Sequence, residues 1–352
     1  MNTRDNINSS RTNETSENIY AGFSKAINEQ IESILLDKNG NLYDMIRYQL
    51  GWVDSLGNSV SPRNHSFLLG SFCMMTGKSL NSNMTQIALI AASLELIYNF
   101  TKVHEDVQEG IPRSYNRDSV WWVWGPGQAI NVGDGLYALG KASLLQLSNT
   151  NITSDKLLKL LRLFDETCIE MCEGYYLDLT FQERIDVSIT SYLKMASSKT
   201  GSLFACSMEA GSLTRFEDPI TLKSFRECGR KLGIAYQIRK DLAELANGSR
   251  KSHQNDRVLN KKKLYPIVHA LEHGNLPTKR ELGNIFFKRV LDGDDASRIL
   301  EILEKENSME VAEKAASEYE LQAMNHLSTV EIQRDQLDYI ETMRNYITRV
   351  NI

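Results

Sequence analysis

Residues 83–108, NMTQIALIAASLELIYNFTKVHEDVQ, decide the fold of this chain. The segment is apolar on nearly every side of a helix until its end, and a helix of that kind is buried at the centre of a bundle. At its end it delivers Glu105 and Asp106, with Glu109 one turn later. Carboxylates spaced i to i+3 or i+4 share one helix face. A second short acidic cluster, Asp241-Leu242-Ala243-Glu244, lies far away in the sequence with the same spacing. If the two helices face each other, the carboxylates converge on one cavity and need cations to offset their repulsion. That juxtaposition predicts Mg2+ and a phosphorylated ligand. An acidic helix turn alone is more often a solvated surface, so the weight falls on the sequence around both clusters.

Working outward, apolar residues recur at helical spacing over about 18–37, 63–77, 128–148, 154–179, 187–213, 220–247, 277–290, 294–325 and 329–350. Extended Val/Ile/Thr alternation is scarce, so the fold class is all-α. The chain has 352 residues, 41% of them hydrophobic, and only six prolines, with no Pro/Gly/Ser-rich linker. One helical domain over 18–352 follows, preceded by a polar tail over 1–17. With 40 basic residues mixed among 45 acidic ones, for a net charge of −5, there is no basic stripe of the kind nucleic acid requires. The tail lacks the apolar core of a signal peptide, and no uninterrupted apolar run of about 18 residues occurs, so a soluble, cytoplasmic protein is expected.

Five cysteines are present without paired zinc spacing, and Cys168 and Cys172, one helical turn apart, read as core thiols. His104 reads as a packing or supporting residue rather than a catalytic base. The connection 110–127, GIPRSYNRDSVWWVWGPG, holds three of the four tryptophans and reads as an ordered loop or short helix on the bundle. The polar stretch 248–263, GSRKSHQNDRVLNKKK, reads either as a solvated surface or as a basic lid beside the acidic helix ends.

In this order the segments resemble the trans-isoprenyl diphosphate synthase family, the polyprenyl synthetases, from about residue 50 to 275. The run from Leu96 to Asp106 is similar to the helix entering the family's first aspartate-rich motif, DDxxD. Val120-Trp121-Trp122-Val123-Trp124-Gly125 and the run Gln128 to Asp134 resemble its next helix start. Gly174-Tyr175-Tyr176-Leu177-Asp178-Leu179, Tyr192-Leu193-Lys194-Met195 and Lys199-Thr200-Gly201 continue the pattern. Gly233 to Glu244 resembles the second aspartate motif with its preceding glutamine, Gln237, and Lys262-Lys263-Leu264-Tyr265-Pro266 the basic segment after it.

The resemblance implies a class I isoprenoid synthase helical bundle that holds an allylic prenyl diphosphate through roughly two or three Mg2+ ions. Carried over by position, Glu105, Asp106 and Glu109 are the first metal cluster and Asp241 and Glu244 the second. Lys199, Lys240 and Lys262 fall on diphosphate oxygens, with Thr200 and Gln237 in place beside them. Phe100, five residues before the first acidic position, lies at the family's product-length floor, where a bulky ring favours a substrate of about ten to fifteen carbons; a core role is the alternative. Tyr98 and Tyr236 offer π faces to a cation, with plain core packing again the alternative. A homodimer is the family default, and a heteromer with an active prenyl synthase the variant on it.

Two departures matter. The early basic motif GKRxRP aligns with Gly57-Asn58-Ser59-Val60-Ser61-Pro62, and the paired arginines after the first acidic motif fall near Ser114-Tyr115, leaving Arg113 and Arg117 as displaced substitutes. A second diphosphate without cations is a desolvated, unpaired charge, so the site for isopentenyl diphosphate reads as missing. In the second motif Lys240 replaces the leading aspartate, either supplying charge where a metal would sit or marking a metal that is not bound. The expected function is therefore Mg-dependent ionisation of an allylic diphosphate followed by cyclisation or rearrangement, as in a terpene synthase on a prenyltransferase frame. The alternatives are a prenyltransferase using isopentenyl diphosphate or another acceptor, and a non-catalytic partner subunit of a prenyl diphosphate synthase.

Overall fold

A computed structural model of the chain describes residues 16–60, 67–114, 117–248, 257–328 and 330. Its elements run α1 (Ser16–Leu35), α2 (Asn41–Gln49), α3 (Leu68–Ser79), α4 (Met84–Gln108), α5 (Val120–Trp124), α6 (Pro126–Leu145), α7 (Ser154–Gln182) and α8 (Ile189–Ala196), then a π-helical turn (Ser197–Gly201). The chain continues through α9 (Ser202–Leu213), α10 (Pro219–Gly248), α11 (Tyr265–His273), α12 (Leu276–Phe287), α13 (Gly293–Lys305) and α14 (Ser308–Leu327). Among the described residues the only sheet is a two-residue antiparallel pairing, Arg113 with Asp118 and Ser114 with Arg117. The fold is all-α, as its hydrophobic spacing requires.

Helix α4 is the central shaft. Asn83 caps it by accepting from the amides of Thr85 and Gln86, and every residue from Gln86 to Ile97 is buried. It packs on α1, α3, α6 and α9, while α10 packs on α9, α14 and the π turn. Helix α9 is buried along its whole length. Arg239 ties α10 to α14, donating to Glu320 at 2.7 Å and Glu313 at 2.6 Å. A smaller apolar cluster gathers α11, α12 and α13 around Ile267, Leu282 and Ile299.

Three differences from the sequence expectation have local causes. α2 and α11 are short helices that carry too few turns to show a period; α11 is started by Pro266 in its first turn. The expected helix 294–325 is two helices, because Asn307 adopts a left-handed conformation at φ 51° between α13 and α14. The expected helix 329–350, the tail up to residue 15 and the body of the basic stretch, 249–256, lie outside the described residues.

One buried acid interrupts the apolar shaft. Glu95 accepts from the amide of Gly70 at 2.6 Å, at the exposed-donor end of α3. Burial pushes its carboxyl up to about 8, with the amides of Gly70 and Leu69 opposing. Between its ordinary value of 4.5 and about 8 the native state keeps a proton that the unfolded chain has released, so stability falls as pH rises through that window. Glu95→Gln keeps the acceptor without the charge. It is expected to raise stability near pH 7 by on the order of 2–3 kcal/mol, with the gain shrinking toward pH 5. Thermal melts of both proteins from pH 5 to 8 check this, and parallel curves would count against it.

Candidate active site

The ends of α4, α7 and α10, the π turn and the segment before α11 meet at one place. Within the π turn Lys199 is buried, and its ammonium donates to Asp178 of α7 at 2.7 Å and to Glu105 of α4 at 3.0 Å. Lys262 donates to the same Asp178 oxygen at 2.7 Å and lies 2.8 Å from Glu109. Arg257 adds its guanidinium at 3.5 Å from Glu105 and 3.9 Å from Glu109. The π turn is what aims Lys199: an inserted residue in a helix re-registers its side chains, and such turns concentrate at functional sites.

Glycines let the elements approach this closely. A Cβ on Gly174 would lie 2.6 Å from Lys199 Cα, and one on Gly233 would lie 2.7 Å from Gly201 Cα. α7 and α10 therefore press directly on the π-turn backbone.

Charge decides the protonation states. Against the penalty of burial, Lys102, Lys199, Lys240 and Arg257 hold Glu105 well below the usual carboxylate range. Burial opposes ionisation of Asp178 too, but Lys199 and Lys262 outweigh it and hold that carboxyl low. Burial pushes Asp106 up to about 7, with Lys102 and Lys240 opposing and Glu105 and Glu109 adding. Burial, with Arg257 and Lys102 nearby, pulls the Lys240 ammonium well below its ordinary value, and Glu105 opposes the shift.

Beside the ionic cluster lies a cavity of about 30 Å³, room for one or two waters. Its wall includes Leu69, Tyr98, Tyr175, Leu203, Phe204 and Tyr236, and its polar side Lys102, Glu105, Lys199, Thr200, Gln237 and Lys240. The structure thus brings together the sequence-predicted Tyr98, Tyr236, Lys199, Thr200, Gln237, Lys240 and Glu105. Phe100 does not line this cavity; its ring packs on His104 and Tyr137, toward α6. His104 likewise sits over Gly133 of α6 with its ring nitrogen 3.3 Å from the Ile130 carbonyl, in the packing role its position suggests.

The two acidic faces differ as metal sites. On α4 the donors are the hard oxygens a divalent cation takes; the two Glu105 oxygens accept from Lys199 and Lys102, while both Glu109 oxygens are buried without a hydrogen-bond donor, although Lys262 neutralises one of them by charge. On α10 the fit fails. Asp241 Oδ1 accepts from Gln237 at 2.9 Å, and Oδ2 accepts from the Tyr192 hydroxyl and, at 3.0 Å, from the Tyr265 amide. Glu244 accepts from the Arg257 amide at 3.4 Å. Among the described residues no three His, Cys, Asp or Glu side chains stand together as a metal site. The expected second metal cluster of Asp241 and Glu244 is instead committed to protein donors.

The displaced arginines are placed elsewhere. Arg113 is exposed, 3.5 Å from Asp118. Arg117 donates to the carbonyls of Tyr48 and Gln49 at the end of α2 and lies 4.6 Å over the Tyr48 ring. Arg117→Ala is expected to cost about 1–3 kcal/mol of stability, because the Gln49 carbonyl loses its donor and the Tyr48 carbonyl keeps only the Gly51 amide, and to leave KM for any diphosphate unchanged. A raised KM at unchanged melting temperature would instead give Arg117 a substrate-gripping role. Of the early motif, Gly57 closes a turn begun at Asp54, at φ 84°, Ser59 pairs back with Val53, and Gly57 to Val60 carry no cation; residues 61 and 62 lie outside the described region.

Sequence reasoning missed Asp178, Arg257 and Lys102. Asp178 carried a signal: it stands four residues after Gly174, on the same face of α7. Lys102 sits three residues before Glu105 and pairs with it.

Comparison with known proteins agrees with the arrangement. The family model described as polyprenyl synthetase matches residues 62–303, more than half of the chain. A geranylgeranyl diphosphate synthase of Mycobacterium tuberculosis is 26% identical over 281 residues, 79% of each chain. A (2E,6E)-farnesyl diphosphate synthase of Mycobacterium bovis is 24% identical over 313 residues, 86% of this chain and 84% of that one. The crystal structure of a polyprenyl synthetase from Streptomyces coelicolor A3(2) superimposes with a TM-score of 0.83 at 21% identity, covering 95% of this chain and 99% of that one. No helix among the described residues is long and apolar enough to cross a membrane. With the helical bundle, the ordered motifs and the family match in agreement, the chain belongs to the polyprenyl synthetase family.

Proposed function

We propose that the chain is a prenyltransferase that takes the prenyl group of an allylic diphosphate and joins it to an acceptor alkene, isopentenyl diphosphate first among them. The observation that carries this reading is the convergence of Lys199, Lys262 and Arg257 on Glu105, Glu109 and Asp178 beside an aromatic-walled cavity. The relatives are named as diphosphate synthases; none lends support to the cyclisation read from the missing basic motifs.

Asp106 with Glu105 and Glu109, the last two now paired with Lys102, Lys199, Lys262 and Arg257, are the carboxylates that would hold Mg2+, which would supply Lewis-acid neutralisation of diphosphate oxygens. The protein's own part is electrostatic. Lys199, which lines the cavity, and Lys262 and Arg257 behind it in the same ion-pair cluster are buried cations that would meet the negative charge growing as the allylic C–O bond breaks and diphosphate leaves with the electron pair. Tyr98, Tyr175, Phe204 and Tyr236 exclude water from the cation left behind, and their π faces favour its charge. The acceptor alkene then forms the new C–C bond, and its proton passes to the departed diphosphate. A chain must enter where the cavity now admits only water, so α4 and α10 must separate on binding.

Residues 18–352 are taken as one domain carrying this activity. A homodimer fits the apolar side chains left exposed on neighbouring helices, Ile130 and Leu145 on α6 with Leu158 and Ile169 on α7; the solution mass tests it.

A second reading keeps one support. Arg117 is committed to α2 and Arg113 lies beside Asp118, and neither of these displaced arginines lines the cavity. The deciding experiment incubates the protein with Mg2+ and geranyl, farnesyl or geranylgeranyl diphosphate, with and without isopentenyl diphosphate. Longer diphosphates formed only in its presence are expected. Hydrocarbon or alcohol formed without it would replace the reading by a terpene synthase, and no product in any mixture would point to a silent partner subunit.

A further inference from the structure

We propose that Lys240, with Lys102 lining the same cavity from α4, takes the place of a metal ion on the α10 side of the site, so that a diphosphate group is held there by ammonium and by metal only on the α4 side. The inference rests on the reading of the site as a diphosphate site and names how that site is divided.

Two kinds of observation carry it. The first is that the Asp241 carboxylate on α10 has no oxygen free for a metal. The Asp241 oxygens are taken by Gln237, Tyr192 and the Tyr265 amide, and Gln237 is itself fixed by accepting from Thr200 at 2.6 Å. Asp241 is thus a positioning residue: through the Tyr265 amide it sets the segment that carries Lys262, and through Gln237 and Thr200 it sets the π turn that carries Lys199. The second is the state of the two lysines. Lys240 lines the cavity, and among the described residues no carboxylate lies within ion-pair distance of its ammonium. Lys102 lines the same cavity and pairs with Glu105.

In its ammonium form a lysine at this position also acts against a metal nearby, since its charge repels a divalent cation at close range in a desolvated site. An ammonium has three donors and suits phosphate oxygens as a point charge. Were Glu105 to hold a metal, Lys102, which lines the cavity and now pairs with Glu105, would face the ligand beside Lys240. The proposal therefore makes α4 the metal-bearing wall and α10 the ammonium-bearing wall.

The test uses the full chain, inorganic diphosphate as ligand and Mn2+ as the metal. Calorimetry in EDTA gives the metal-free affinity for diphosphate, and electron paramagnetic resonance counts Mn2+ bound per chain with diphosphate present. Wild type is expected to bind diphosphate in EDTA, with Lys240→Gln and Lys102→Gln each weakening it at least ~10-fold, the scale of a lost charged hydrogen bond. Lys240→Asp is expected to bind more Mn2+ per chain than wild type, whereas Lys240→Gln binds the same number. Equal EDTA affinity for wild type and Lys240→Gln overturns the proposal, as does wild type already holding as many Mn2+ as Lys240→Asp. Should Lys240→Asp fail to fold, the Lys240→Gln comparison decides alone. Diphosphate binding that depends on Lys240 in a protein without prenyl turnover sinks the prenyl-transfer reading and supports this one; no diphosphate binding by any variant, with or without Mn2+, overturns both.

Discussion

Lys262→Ala is expected to lower turnover of an allylic diphosphate by a hundredfold or more, with most of the loss in kcat. The Lys262 ammonium is almost wholly buried and stands between Asp178 at 2.7 Å and Glu109 at 2.8 Å. In such a place a fixed cation does little for the resting substrate and much for a departing diphosphate, and removing one preorganised donor to developing charge costs roughly 10²–10³ in rate. The substitution also has a stability signature. Asp178 keeps Lys199 as a partner, but Glu109 is left with only Arg257 and Lys199, each at 3.9 Å. Breaking one side of a buried pair costs about 3–5 kcal/mol, lowering the melting temperature. Lys262→Arg, which restores a cation between the two carboxylates, should recover stability while returning kcat only in part. That split separates a residue that acts on the ligand from one that only neutralises its neighbours. Wild-type turnover in Lys262→Ala, with the protein folded, would remove Lys262 from the active site.

What the sequence disclosed follows the range of the forces involved. Helix α4 was legible because burial on all sides writes itself into consecutive residues, as Gln86 to Ile97 show, and its acidic end was legible because three carboxylates fall within two turns. The partners of those carboxylates were only half legible. The resemblance puts Lys199 and Lys262 on diphosphate oxygens, and in the structure they lie on Glu105, Glu109 and Asp178. Ammonium groups occupy the position that cations must fill in any state, since carboxylates this deeply buried cannot stand unpaired.

Asp241 shows the limit from the other side. Its i to i+3 spacing with Glu244 reads like that of Glu105 or Asp106 with Glu109, and nothing local separates the two clusters. What separates them is tertiary: a tyrosine hydroxyl from α8 and an amide from the start of α11 arrive on the Asp241 carboxylate. Contacts of that sequence separation leave no trace in spacing. The same holds for Arg117, whose role is set by two carbonyls at the end of α2.

Gly174→Ala is expected to be as damaging to activity as loss of a charged residue, although it touches no ligand. A Cβ at this position would sit 2.6 Å from Lys199 Cα and 2.8 Å from Lys199 Cβ, closer than packed atoms tolerate, and the obstructing atoms are mostly backbone that no rotamer change can move. The π turn must therefore shift away from α7, while Asp178, one turn further along α7, stays where it is. Lys199 would lose the 2.7 Å contact with Asp178 or the 3.0 Å contact with Glu105. Overpacking of this kind costs about 1–3 kcal/mol and more where backbone resists. A displacement near 1 Å in a charged contact is enough to cost on the order of 10²-fold in turnover. Helical glycine to alanine ordinarily stabilises by up to about 1 kcal/mol, so the sign itself is diagnostic. Gly283→Ala in α12, where a Cβ meets nothing within 4 Å, should raise the melting temperature slightly and leave kcat alone. If Gly174→Ala behaved like Gly283→Ala, the close approach of α7 to the π turn would not be what holds Lys199 in place.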